Sequence, residues 1–109
     1  MSDKSAVSGN LYASIPANLD NELFELIINN ENIKIERIIS KGHKSPETGW
    51  YDQVHNEWVM LLKGTAIVTF EDRELTMSPG AYVNIPAHTR HKVNCTNPEE
   101  ETIWLAIHY

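Results

Sequence analysis

Two hydrophobic rhythms divide the chain. Residues 19–29 place Leu19, Leu23, Leu26 and Ile27 at a spacing near that of a helix, forming one apolar stripe. Asn18 or Asp20 can cap the start of such a helix by accepting a bond from an orphan backbone N–H, and Asn29-Asn30-Glu31-Asn32 can end it. From Ile33 onward the period changes to two. Ile33 and Ile35 alternate with Lys34 and Glu36, the pattern of a strand with one wet face. Residues 41–49 hold Gly42, Pro46 and Gly49 and read as a loop, and residues 50–53 as a short extended piece. Strands then follow at 57–63, 65–70, 75–77, 82–85, 91–95 and 103–107, separated by turn signals such as Lys63-Gly64 and Ser78-Pro79-Gly80. Many short strands in this arrangement predict an antiparallel sandwich or barrel.

One strand carries a further implication. Trp58, Val59, Met60, Leu61 and Leu62 are apolar in succession, so both faces of that strand need cover. The interior supplies one cover. The N-terminal helix or a second subunit supplies the other, and for a chain of this size a homodimer is the simpler expectation. The expected organisation is a tail and short helix over 1–32, packed on a barrel over 33–109.

Composition narrows the function. The 109 residues include nine Lys and Arg against 15 Asp and Glu, for a formal charge of −6. Such a surface repels nucleic acid and anionic membranes. No apolar run approaches the roughly 20 residues needed to span a bilayer, and residues 1–10 lack an export signal. The single Cys95 cannot form an internal disulfide, which predicts a reducing, cytoplasmic setting. The chain has no Gly-rich phosphate loop, no Cys-x2-Cys motif and no nucleophile elbow.

Two spaced motifs remain. Glu57-x6-Gly64 and Gly80-x5-Pro86-x4-His91 resemble the paired signature motifs of the cupin superfamily, in which the second reads G-x5-P-x-G-x2-H-x3-N. Here His88 stands at that motif's later Gly position and Cys95 at its Asn position. The stretch from Ile85 through Pro86, Ala87 and His88 to His91 also looks like a group of small bacterial cupins of unknown function. The resemblance implies an all-β, antiparallel jelly-roll (double-stranded β-helix) barrel, to which the periodicity adds one short N-terminal helix. It also implies a small-molecule pocket in the barrel mouth, in many relatives holding a divalent metal. The first motif departs from the family. Its two histidine positions fall on Tyr51 and Gln53, or on Trp50 and Asp52 with a longer gap, and none of these is histidine.

The candidate residues each have two readings. His91 heads a face shared with Val93 and Cys95, so it is either a pocket residue and metal ligand or a hydrogen-bonded core histidine. Glu57 opens an apolar strand, where a carboxylate must be paired, metal-bound or at the rim. Gln53 is a weak oxygen ligand, and His55 a loop-tip histidine able to replace the missing pair. Together Gln53, His55, Glu57 and His91 form the expected metal set, suited to Fe, Mn, Ni or Zn. Glu57 and His88 are the expected proton carriers. Trp50, Tyr51 and Asp52 are the expected substrate contacts, with core filling the competing fate of the two rings. Cys95 reads as a small buried hydrophobe, and His43 and His108 as surface. Two functions follow: a metal-dependent cupin enzyme of oxidoreductase (dioxygenase) or isomerase type, or a metal-free cupin that binds a small ligand without turnover.

Overall fold

The computed structural model describes residues 6–17, 19, 21–41, 50–95 and 97–109. Eight strands run in chain order: β1 (Leu23–Asn29), β2 (Lys34–Ser40), β3 (Glu57–Lys63), β4 (Ala66–Phe70), β5 (Glu74–Met77), β6 (Tyr82–Ile85), β7 (His91–Cys95) and β8 (Thr102–His108). They form two antiparallel sheets, one of five strands in the order β1-β2-β8-β3-β6 and one of three in the order β5-β4-β7. Among the described residues no strand of one sheet pairs with a strand of the other, so the roll is open at its seams rather than a closed ring. No described helix is long and apolar enough to cross a membrane.

The expected N-terminal helix is absent. Residues 23–29 are strand β1, paired along β2 from Leu23 opposite Ile39 to Asn29 opposite Lys34. The misleading spacing has a physical source. A bulge between Leu26 and Ile28 sets two residues of β1 against one step of β2, so strict alternation slips and imitates a helical stripe. The β-branched pair Ile27-Ile28 also suits a pleated surface better than a helix. The Asn18 and Asp20 caps, the loop over 42–49 and the side chain of Cys95 lie outside the described residues.

Between the sheets, Val59 and Leu61 of β3 meet Val68 of β4, Met77 of β5, Ile85 of β6 and Trp104 of β8. Leu61 and Val68 are essentially sealed from water. Burying each such side chain is worth roughly 1.5–3 kcal/mol, which makes this layer the main source of cohesion. The β3–β4 turn needs Gly64, at φ +90°, because a Cβ there would stand 2.7 Å from Thr102 Oγ1. The core thins toward one end of the roll, and that end carries the polar chemistry.

Candidate active site

Alternation along β3 sends Glu57, Val59 and Leu61 to the same side, so Glu57 ends an apolar row at the mouth of the roll. Register then brings other strands to it. Glu57 pairs with His108 of β8 and with Ile85 of β6, while His108 pairs with Lys34 of β2. Lys34, His108, Glu57 and Ile85 therefore form one cross-strand row. Glu36, two residues beyond Lys34, reaches the same row by its side chain: its Oε1 lies 2.9 Å from His108 Nε2.

Opposite this row, β7 contributes His91, which is 3% exposed. Its Nδ1 donates to the Thr89 carbonyl oxygen at 2.9 Å, which fixes the ring and leaves Nε2 turned toward Glu57. Nε2 stands 3.8 Å from Glu57 Oε1, and His108 Nε2 stands 3.5 Å from Glu57 Oε2. The carboxylate is thus set between two imidazoles, each slightly beyond good hydrogen-bond length. Burial pushes the Glu57 carboxyl above its ordinary value, and the charge of Glu36 adds to the rise, while His108, His91 and Lys34 oppose it.

These groups border a cavity of about 430 Å3 between the sheets. Tyr51 and Gln53 line its mouth. Tyr51 exchanges both backbone hydrogen bonds with His91, at 2.9 and 3.1 Å, and their rings lie 5.6 Å apart. That bridge decides the orientation the sequence left open: Tyr51 and Gln53 face the cavity, and Trp50 and Asp52 are not among its lining residues. Trp50 instead lies under the Lys92 ammonium, 4.6 Å from its ring centre.

His88 is set apart from the cavity as well. Its Nδ1 meets Asp52 Oδ1 at 2.9 Å on the exposed rim, and its backbone N–H donates to the Gln53 carbonyl at 2.8 Å. His88 takes φ +61°, a left-handed conformation at the position where the family motif has glycine. His55 is exposed and borders a separate hollow of about 220 Å3, lined also by Asn30, Lys34 and His108.

Of the expected metal set, then, Gln53, Glu57 and His91 share the cavity and His55 does not. Among the described residues no group of three or more His, Cys, Asp and Glu side chains is arranged to hold a metal ion. His108, the nearest additional nitrogen, is engaged by Glu36 at 2.9 Å.

His108 and Glu36 are candidate site residues that sequence reasoning does not reach, since it places His108 on the surface and Glu36 on a wet face. The structure corrects both: Glu36 is 6% exposed and His108 lines the cavity. Their signal lay in β8, which is apolar on both faces, so the opposite parity of Trp104, Ala106 and His108 was an equally valid inward set.

The comparisons agree with this architecture. The model of the cupin domain family matches residues 37–108. The chain belongs to the cupin family. A solved structure from Ralstonia eutropha JMP134, provisionally named a mannose-6-phosphate isomerase, is 42% identical, with 93% of this chain and 95% of that chain covered and a TM-score of 0.88. A cupin superfamily protein from Desulfitobacterium hafniense DCB-2 is 19% identical over 86% of this chain and 82% of its own, with a TM-score of 0.72. An RmlC-like cupin from Desulfovibrio desulfuricans is likewise 19% identical, over 95% and 97%, with a TM-score of 0.75. No curated protein matches the sequence.

Proposed function

We propose that this cupin is a small-molecule isomerase that moves a proton at a carbon beside a carbonyl, using its own side chains and no metal. The observation that carries the reading is the buried Glu57 carboxyl, held between His91 Nε2 and His108 Nε2 on the cavity wall. Its raised proton affinity makes its carboxylate a stronger base than an exposed one.

In the proposed cycle Glu57 takes the proton from the carbon, and the C–H electron pair forms the enediol or enol double bond as the carbonyl oxygen gains a proton. The Gln53 amide and the Tyr51 hydroxyl are the mouth-side donors available to that oxygen. His91, with Nδ1–H committed to Thr89, presents the Nε2 lone pair and can accept a substrate hydroxyl proton. On an α-hydroxy carbonyl compound His91 passes that hydroxyl proton to the former carbonyl oxygen while Glu57 returns its proton to the former carbonyl carbon. The hydroxyl carbon becomes the new carbonyl, each side chain ends as it began and no oxidant is consumed. The name of the Ralstonia structure supports an isomerase, and the side-chain arrangement supports a proton-transfer mechanism for one.

Deuterium uptake tests the reading. Protein purified without a His tag is incubated in D2O with mannose 6-phosphate and, separately, with phenylacetone, and the carbon beside the carbonyl is followed by NMR. Uptake from at least one compound is expected, falling about 100-fold or more in Glu57→Gln. Binding without uptake would make the protein a ligand-binding cupin instead. Stoichiometric metal that disappears in His91→Ala would overturn the metal-free mechanism.

A further inference from the structure

The cavity has two unlike halves. One end holds Glu57, His91, His108 and Glu36, and most of the remaining wall is apolar, including Ile38, Val59, Val68, Ile85, Val93 and Trp104, with Phe24, Tyr51 and Gln53 also lining it. Among the described residues that line it, Lys34 is the single Lys or Arg, set against Glu22, Glu36 and Glu57. We propose that the cavity takes a neutral carbonyl compound with an apolar or aromatic body, and that it disfavours phosphorylated sugars. The proposal rests on the proton-transfer reading for its chemistry and deepens it by naming the substrate class.

Charge is the first argument. A phosphate dianion would bring negative charge into a space already bordered by three carboxylates, with one lysine to offset them. The devices that usually hold phosphate are a bidentate arginine or a helix N-terminus. No arginine lines the cavity, and no helix is present among the described residues. Lys34 is also drawn into the polar row, where it favours the ionised form of Glu57.

Hydrogen bonding is the second argument. A hexose carries hydroxyls around its whole circumference, and each one buried without a partner weakens binding roughly tenfold. The five aliphatic side chains of that wall can satisfy none of them, and Trp104 offers at most one indole N–H. They instead match a ring or alkyl body, which loses water on contact with them. The polar end then meets the one part of the ligand that must react. A volume of about 430 Å3 lies toward the lower end of the roughly 300–1,000 Å3 typical of ligand pockets, which suits a compact molecule.

Calorimetry and amide NMR with phenylacetone, mannose 6-phosphate and mannose separate the possibilities. Phenylacetone is expected to shift the signals of Val68, Val93 and Trp104 and to bind at least tenfold more tightly than either sugar. Val93→Asn, on the half-buried part of the wall, should weaken it about tenfold, and the milder Val93→Thr should weaken it less while retaining the fold. Equal or tighter binding of mannose 6-phosphate would overturn the proposal, and so would failure of all three compounds to bind. Glu57-dependent deuterium uptake from mannose 6-phosphate alone would sink the substrate class and leave proton transfer standing. Phenylacetone binding with no uptake would do the reverse.

Discussion

A carboxyl group buried at Glu57 ties the site to stability. Because burial raises its proton affinity in the folded protein, the native state binds more protons than the unfolded chain above the ordinary value near 4.5. Its contribution to stability is therefore greatest in acid and declines as pH rises from that value through the raised one. Glu57→Gln removes this dependence. The variant should gain on the native protein as pH increases from 4 to 7, measured as the difference between their urea midpoints; a difference independent of pH would contradict the assignment. The motif spacing made Glu57 and His91 legible, because a carboxylate opening an apolar strand and an imidazole heading another are conspicuous. His108 was not, because a histidine ending a strand apolar on both sides gives no sign of which side it takes.

Among the elements, the β3–β4 turn is closely packed against β8. Gly64 has φ +90° with Thr102 behind it, whereas Gly80 has φ +94° and open space around its missing Cβ. Gly64→Ala should therefore cost roughly 2–4 kcal/mol, combining a disfavoured backbone with overpacking. Gly80→Ala should cost only the backbone part, about 1–2 kcal/mol. Chemical denaturation of the two variants checks the ordering, and equal losses would show that Thr102 does not crowd the turn. The strands from β3 through β8 followed from period-two alternation and turn residues. Strand β1 did not, because its bulge breaks the alternation that identifies a strand. The parity of β2 and β8 was also hidden: Lys34 and Glu36 line the cavity while Ile35 faces outward beside Ile107. An apolar residue marks the inside of a sheet only when the outside is wet, and here it is not.

That outer face is the main feature at the scale of the whole molecule. Trp58 and Met60 of β3 sit beside Ile107 and Leu105 of β8, all half-buried, and exposed Tyr82 stacks on Trp58 with ring centres 5.6 Å apart. The N-terminal segment covers another part of the sheet. There the Arg37 guanidinium bonds Glu25 at 2.7 Å and the Leu11 carbonyl at 3.1 Å, and the Tyr12 hydroxyl donates to the Leu62 carbonyl. A second copy covering the Trp58 face predicts twice the chain mass in light scattering. Trp58→Asp should then halve that mass while the circular dichroism of the strands persists. A native protein of single-chain mass would end the dimer expectation.

The two-bond bridge between Tyr51 and His91 joins a wall to a reagent. Under the proposed proton transfer, a guest that pushed this bridged backbone outward would also carry the imidazole away from Glu57. An oversized molecule would then be penalised twice, once on lodging and again on reacting.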